Sequence, residues 1–183
     1  MTTVIIGSEG NVAQRLRPLF QDIVGIDRAP GAAFVVDLAD IDYDQPWIAG
    51  LLSRADIVVH LGTSPRVNDP DEVHYQSLRN TVNLLTACQK RPVPKVLLPS
   101  SHWAEPPEGF PGTNTYAASK RVIEGLAEMY RVSTGQHCVA LRFGWVARDA
   151  AKVATVEDWL KAAIWDDARL LREVAQALQL DRM

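Results

Sequence analysis

A glycine-spaced turn between a short apolar run and an amphipathic run is the feature that most constrains how this chain can fold. The β-rich run Val4–Gly7 leads into the spacing G-x-x-G-x-x-A, formed by Gly7, Gly10 and Ala13. Gly7 permits a tight turn, Gly10 removes a side chain where a pyrophosphate would touch backbone, and Ala13 lets the next helix pack on the strand. The pattern therefore predicts a strand–turn–helix unit that binds a dinucleotide.

A carboxylate closes the next apolar run, Ile23–Asp27. At the end of the second strand, Asp27 can accept both hydroxyls of a ribose and repel a 2′-phosphate, which predicts NAD in preference to NADP. Arg28 follows directly and works against that preference. Asp37 ends the third apolar run, where it could contact the adenine or be an ordinary acid at a strand end.

Short apolar runs alternate with longer amphipathic runs along the chain, a pattern typical of α/β proteins with a parallel sheet. We predict a Rossmann-like, doubly wound parallel sheet of six to seven strands with helices on both faces and a reduced C-terminal substrate region. The predicted strands are Val4–Gly7, Ile23–Asp27, Ala33–Asp37, Asp56–Leu61, Lys95–Ser100 and His137–Phe143. The predicted helices are Asn11–Phe20, Trp47–Arg54, Asp71–Lys90, Thr115–Val132 and a weaker helical stretch over Val156–Leu180.

Composition narrows the possible partners and the domain organisation. The 183 residues suit one domain, which we divide into a nucleotide-binding part (1–146) and a short helical segment (147–183) that completes it. A net charge of -3, without a basic block, gives no reason to expect nucleic acid or an anionic membrane. We expect a cytoplasmic protein, because the N-terminus resembles no signal peptide and Cys88 and Cys138 read as buried thiols.

Polar side chains capable of acid–base chemistry follow the fifth strand. Ser100 and Ser101 lie where parallel strands end, the edge at which ligands bind. Downstream, Tyr116 and Lys120 are four residues apart and share one helix face. A nearby ammonium can lower the pKa of a phenol, which makes the phenol a usable acid or base. The pattern predicts a site acting on a hydroxyl or carbonyl group.

With these residues in place, the sequence resembles the extended short-chain dehydrogenase/reductase superfamily, in its NAD-dependent epimerase/dehydratase branch. The resemblance covers about residues 1–146 and, within the branch, is nearest to uronate dehydrogenases and related sugar oxidoreductases. It rests on the glycine turn, Asp27, Asp37, His60-Leu61-Gly62, Ser100-Ser101, Tyr116-x-x-x-Lys120 and Leu141-Arg142-Phe143-Gly144.

The resemblance implies roles for individual residues. Tyr116 would be the catalytic acid or base, Lys120 would bind the nicotinamide ribose and tune the phenol, and Ser101 would orient the substrate oxygen. It also implies a homodimer through the helices 71–90 and 115–132. The histidines and cysteines are dispersed along the chain, so we expect no metal site. The cofactor contacts expected from motif and resemblance together are Gly7, Gly10, Asn11, Val12, Asp27, Arg28, Asp37, Leu38, Leu61, Gly62, Tyr116 and Lys120.

The sequence departs from the family pattern on the substrate side. The region after the sixth strand is short, the loop between Ser101 and Tyr116 is shorter than usual, Ser77 replaces an Asn, and Trp145 replaces a polar residue. His60 and His102 fall near the expected cleft. Either could be a hydrogen-bonded structural residue, and His102 could instead contact the substrate. Aromatic residues could line an apolar pocket or only cap the sheet: Trp103, Phe110, Trp145, Trp159 and Trp165.

Three functions remain open at this point. The first is an NAD-dependent oxidoreductase that acts on a small, sugar-like molecule. The second is an epimerase or dehydratase that retains its NAD. The third is a non-catalytic NAD-binding protein that needs a partner chain. The intact Ser–Tyr–Lys set favours the first, and the short C-terminal region motivates the third.

Overall fold

A parallel sheet of six strands forms the centre of the molecule in the computed structural model, which describes residues 1–105, 114–156 and 158–180. The strand order is β3-β2-β1-β4-β5-β6, so the chain winds outward in both directions from β1. This is the Rossmann order, with its switch point between β1 and β4. The strands are β1 (Thr2–Ile6), β2 (Asp22–Asp27), β3 (Phe34–Val35), β4 (Ile57–His60), β5 (Lys95–Ser101) and β6 (His137–Phe143).

Helices cover both faces of this sheet. The helices are α1 (Asn11–Leu16), α2 (Pro46–Leu52), α3 (Asp71–Lys90), α4 (Thr115–Thr134), α5 (Ala150–Ala154), α6 (Asp158–Lys161) and α7 (Asp167–Ala177). Buried side chains of α2, α3 and α4 form one apolar cluster with the sheet, and those of α1 and α7 form the other. Neighbouring strand residues alternate between the clusters, with Val4 and Ile6 in the first and Ile5 in the second. The predicted fold class is confirmed.

Two predicted elements, the first helix and the third strand, are shorter than expected by at least three residues. The first helix was expected over Asn11–Phe20, but α1 ends at Leu16 and a 3₁₀ turn, Arg17–Leu19, follows. Pro18 lies inside that turn and cannot donate a helical hydrogen bond. The third strand was expected over Ala33–Asp37, yet only Phe34 and Val35 pair with β2, at the edge of the sheet. Propensity could not reveal where an edge strand stops pairing.

The C-terminal segment is more broken than the continuous helical stretch predicted over Val156–Leu180. Between α6 and α7 the chain runs beside the residues that follow β6, and Trp145 and Ile164 form a parallel bridge. The Trp145 amide donates to the Ala163 carbonyl at 2.7 Å, and the Trp165 amide donates to the Trp145 carbonyl at 3.0 Å. Backbone pairing with a distant segment therefore interrupts the helix.

Side chains of α1 hold the same C-terminal segment. The Asn11 side-chain amide donates to the Val146 carbonyl at 2.9 Å, and Arg15 donates to the Ala147 carbonyl at 2.7 Å. Arg15 also forms an ion pair with Asp167 at the start of α7. Helix α1 and the segment that follows β6 are therefore packed against each other.

Two further observations bear on the expected environment. Across the described ranges, no helix is both long enough and apolar enough to cross a bilayer. Cys88 and Cys138 are free and buried, and burial raises the pKa of each thiol to about 12.

Candidate functional site

A cavity of about 620 Å³ opens at the carboxyl ends of the strands, above the switch point of the sheet. Its lining comes from the glycine turn after β1, the loop after β4, the end of β5, the first turns of α4, and the segment after β6. Loops at this edge of an open parallel sheet diverge to either side, which leaves a crevice suited to an elongated ligand. Seven of the predicted cofactor contacts line it: Gly7, Gly10, Asn11, Val12, Leu61, Tyr116 and Lys120.

The glycine turn packs too closely on the end of β4 to accept a side chain at its first position. Gly7 has φ +82°, and a Cβ atom there would lie 2.7 Å from both the Gly62 nitrogen and the Leu61 carbonyl carbon. At Gly10 the backbone is ordinary, with φ -69°, and a Cβ atom would approach only the Gly7 carbonyl oxygen, at 3.3 Å. Gly7 is therefore required by the fold, whereas Gly10 leaves open a surface that a side chain would fill.

Asp27 closes β2 beside this turn and is buried. Its Oδ2 accepts the Glu9 amide at 2.9 Å and its Oδ1 accepts the Ala29 amide at 3.0 Å. Each carboxylate oxygen keeps a second lone pair, so the group can still accept ribose hydroxyls. Arg28 is exposed, as is Asp37, whose Oδ1 accepts the Ala39 amide at 2.9 Å. Three predicted contacts, Asp27, Arg28 and Asp37, therefore lie along the ends of β2 and β3, outside the cavity lining.

Leu38 and Gly62, also predicted contacts, lie against one another beside the cavity. A Cβ atom at Gly62 would be 2.7 Å from Leu38 Cδ1 and 3.2 Å from Ile6 Cγ2. Neither residue is part of the lining. Leu38 instead packs on the apolar cluster beneath α2 and α3.

Ser101, Tyr116 and Lys120 converge on the floor of the cavity. The Ser101 hydroxyl is close enough to Tyr116 to lower the pKa of the phenol, and Lys120 Nζ lies 5.1 Å from the centre of the tyrosine ring. The ammonium donates to Thr63 Oγ1 and to the Pro99 carbonyl, each at 3.2 Å. The structure therefore brings together the three side chains that the sequence placed in one site, despite the short loop between Ser101 and Tyr116.

Burial dominates the ionisation of Tyr116 and Lys120. Burial raises the pKa of Tyr116, and the hydrogen bond from Ser101 opposes that rise. Burial also lowers the pKa of Lys120 to about 8, and no carboxylate among the described residues opposes this effect. In the free protein at neutral pH, the phenol is protonated and the ammonium is largely charged. The site can thus donate a proton from Tyr116 to an oxygen.

A carboxylate that the sequence analysis did not single out lies one helical turn further along α4. Glu124 Oε1 accepts the Ser100 hydroxyl at 2.5 Å, and Arg142 donates to both Glu124 oxygens, at 2.7 and 2.9 Å. These bonds tie α4 to the ends of β5 and β6. A sequence signal existed, because Glu124 follows Lys120 by the same four residues that separate Tyr116 from Lys120.

The histidines near the cleft differ in their surroundings. His60 is fully buried, its Nε2 is 3.1 Å from Thr81 Oγ1, and burial lowers its pKa to about 3, with a smaller contribution from the Lys120 charge. His102 lines the cavity and packs edge-on against Trp165, with 5.7 Å between the centres of the two rings. Burial, followed by the charges of nearby arginines, lowers the pKa of His102. His60 has a structural environment, whereas His102 can reach a ligand.

The substrate-side departures from the family pattern have structural consequences. Ser77 Oγ accepts the Ser64 amide at 3.0 Å, so it anchors the loop after β4. Trp103 and Trp145 line the cavity, whereas Trp165 is buried behind it. Phe110 and the side chain of Trp159 lie outside the described residues.

The cavity is positively charged. Besides Lys120, its lining includes Arg66, Arg148 and Lys152, which sequence reasoning missed because they are scattered along the chain. Within the described part of the chain, the lining has no Asp or Glu, although the protein has a net charge of -3. A site of this kind suits an anionic ligand such as a pyrophosphate. Among the described residues, no group of three or more His, Cys, Asp or Glu side chains could hold a metal ion.

Comparison with known proteins agrees with this geometry. A family model described as the NAD dependent epimerase/dehydratase family matches residues 4–147. A search of curated proteins finds no significant match.

Solved structures share the fold at low sequence identity. A UDP-glucose 4-epimerase of Thermus thermophilus in complex with NAD has a TM-score of 0.63 and 22% identity, over 80% of this chain and 56% of that one. A UDP-N-acetylglucosamine 4-epimerase of Bacillus cereus has a TM-score of 0.73 and 18% identity, over 98% and 74%. A mutated uronate dehydrogenase has a TM-score of 0.72 and 22% identity, over 99% and 70%. The chain spans just over half the length of the first of these.

Proposed function

Because this chain belongs to the NAD dependent epimerase/dehydratase family, we propose that it binds NAD and acts as a dehydrogenase or reductase on a hydroxyl or carbonyl of a small molecule. The observation that carries the proposal is the convergence of Ser101, Tyr116 and Lys120 in one cavity with the glycine turn. Acid–base side chains that line one cavity with a glycine turn are what such a reaction requires.

The residues present fit NAD. Gly10 leaves open the backbone surface that a pyrophosphate would approach, since a Cβ atom there would fill it. The basic lining of the cavity complements the pyrophosphate charge. Asp27 keeps lone pairs for the adenosine ribose hydroxyls, and Lys120 would contact the nicotinamide ribose. Bound NAD would supply the hydride acceptor or, when reduced, the hydride.

Each polar side chain of the site has a distinct task in the proposed reaction. In carbonyl reduction, Tyr116 would donate its phenolic proton to the substrate oxygen, where negative charge develops. Ser101 donates a second hydrogen bond to the same oxygen and so fixes its position. The Lys120 ammonium stabilises the phenolate left on Tyr116. In alcohol oxidation the same groups act in reverse, and the phenolate takes the hydroxyl proton.

A test uses substitutions that remove one hydroxyl at a time. Tyr116→Phe should lower kcat about 10²- to 10⁴-fold, the range ordinarily lost with a general acid or base. Tyr75→Phe is the matched control, because Tyr75 is an exposed tyrosine on α3, outside the cavity lining. The assay follows NADH absorbance with a panel of neutral and carboxylated sugars, the latter included because the cavity is basic. Full activity of Tyr116→Phe would refute the mechanism.

The same assay separates the proposal from an NAD-retaining epimerase or a non-catalytic subunit. Net formation or consumption of NADH in proportion to product supports a dehydrogenase. Product formation with no net change in NADH, by protein that carries co-purified NAD, indicates epimerisation or dehydration. A partner-dependent role would give turnover only after a second chain is added.

We also propose a homodimer through α3 and α4. These neighbouring helices expose large apolar side chains away from the sheet, including Tyr75 at 61%, Met129 at 68% and Val132 at 77% exposure. A second copy of this chain suits this surface, because exposed apolar faces on two long helices can pack as a four-helix bundle. Light scattering should give twice the chain mass, and Met129→Glu should halve it. A monomeric wild-type protein would refute the dimer.

A further inference from the structure

A second carboxylate lies beside Asp27, within the glycine turn itself. The side chain of Glu9 is largely covered, at 18% exposure, and three neighbouring groups hold it. Its Oε1 accepts the Ser8 hydroxyl and an Arg17 Nη2, each at 3.1 Å, and its Oε2 accepts the Gln14 amide at 2.6 Å. The carboxylate is therefore fixed in place.

The backbone ties Glu9 to the ribose end of the crevice. The Glu9 amide donates to Asp27 Oδ2 at 2.9 Å, so the glutamate is in direct contact with the residue proposed to hold the adenosine ribose. The loop between β2 and β3 closes over the other side, since a Cβ atom at Gly31 would lie 3.5 Å from Glu9 Oε2. The Glu9 carboxylate therefore lies between the glycine turn and the loop that follows Asp27.

We propose that Glu9 is a specificity-determining residue that disfavours NADP, in addition to Asp27; this inference rests on the proposed binding of NAD. A 2′-phosphate carries close to two negative charges at neutral pH, and the largely covered Glu9 carboxylate would repel it. NAD has a neutral hydroxyl at that position and is unaffected.

Glu9 also acts through the cation that it holds. Arg17 could otherwise turn to a 2′-phosphate, and its ion pair with Glu9 keeps it on the surface of the protein. Arg28, the exposed cation beside Asp27, is then opposed by two acids in the discrimination between the cofactors. Removing the Glu9 charge both relieves repulsion and frees Arg17, so the two effects add in favour of NADP.

Calorimetric titration of the free protein with NAD and with NADP tests the proposal without requiring turnover. Glu9→Gln should lower the Kd for NADP about tenfold while changing the Kd for NAD less than about twofold. Glu9→Ser should do the same, which guards against an effect of one particular side chain. Glu72→Gln, which removes an exposed carboxylate at the start of α3, is the control for net charge and should change neither constant.

Salt separates electrostatics from a structural effect. The change in NADP affinity caused by Glu9→Gln should shrink between about 0.05 and about 0.5 M NaCl, because screening weakens charge repulsion. An unchanged ratio of the two Kd values in folded Glu9→Gln and Glu9→Ser would overturn the role of Glu9 while leaving NAD binding intact. Failure of the wild-type protein to bind NAD would instead overturn the proposed function.

Discussion

Substituting alanine for Gly7 should destabilise the fold more than the same substitution at another left-handed glycine. Gly7 and Gly135 have similar backbones, with φ +82° and +71°. A left-handed backbone costs an alanine about 1–2 kcal/mol at either site. Around Gly135, a Cβ atom would meet nothing within 4 Å, so this strain is the whole native-state penalty there.

At Gly7 a second cost adds to the strain. The added Cβ atom would lie 2.7 Å from two backbone atoms of Leu61 and Gly62 and 2.9 Å from the Leu61 carbonyl oxygen. Backbone at the end of a central strand cannot rotate away as a side chain can, so β1 and β4 must separate. Overpacking of this kind costs about 1–3 kcal/mol. In both variants the alanine also restricts the unfolded chain, which offsets about 0.4–1 kcal/mol of the lost stability.

The expected losses of unfolding free energy are therefore about 1 kcal/mol for Gly135→Ala and about 2–4 kcal/mol for Gly7→Ala. Urea denaturation followed by circular dichroism measures both. Gly7→Ala should also weaken NAD binding, because the turn moves, whereas Gly135→Ala should leave the Kd unchanged. Gly10→Ala separates the effects, since its ordinary φ should preserve stability while its methyl group blocks the pyrophosphate.

Equal losses of stability for Gly7→Ala and Gly135→Ala would refute the reasoning, because the contact with β4 would then carry no cost. Wild-type NAD affinity in Gly10→Ala would likewise show that no phosphate approaches this backbone. If Gly7→Ala does not fold, the comparison between Gly10→Ala and Gly135→Ala still tests the cofactor contact.

Three further outcomes concern charge and packing. Burial lowers the pKa of Lys120 to about 8, so the unfolded chain holds that proton more tightly than the folded protein does. The free energy of unfolding, measured in urea, should therefore rise between pH 8 and pH 10.5 relative to that of Lys120→Met. A difference between the two proteins that does not change with pH would contradict this. Glu124→Gln should lower the free energy of unfolding by about 1–2 kcal/mol, whereas Glu128→Gln, which breaks only an exposed ion pair, should lower it by less than about 0.5 kcal/mol. Equal shifts in Tm would argue against a stabilising role for the hydrogen bonds of Glu124. Leu170→Ala should lower the free energy of unfolding by about 2–5 kcal/mol while the protein still unfolds in one cooperative transition, because Leu170 is fully buried. This is expected if residues 147–183 complete the same domain. An unchanged midpoint of the main transition would show that they unfold separately from the rest of the chain.

The α/β part of the fold, from β1 to β6, was predictable from local pattern. Apolar runs such as Ile57-Val58-Val59 mark strands buried on both faces, and they pair as predicted in β4. Boundaries were less predictable where tertiary contacts decide them. Pairing of Trp145 with Ile164 breaks a helical pattern, and the limited pairing of β3 shortens an edge strand.

Residue type and spacing along the chain determined which chemistry this protein could hold: the glycine turn, Asp27 and the Tyr116–Lys120 pair. Only the tertiary structure decided which of these polar groups meet. The Glu9 amide and Asp27 are 18 residues apart in sequence, as are Glu124 and Arg142, yet each pair is hydrogen-bonded because the fold packs the glycine turn and α4 against the ends of distant strands. Burial, which sets the pKa of Lys120, likewise follows from packing and not from sequence spacing.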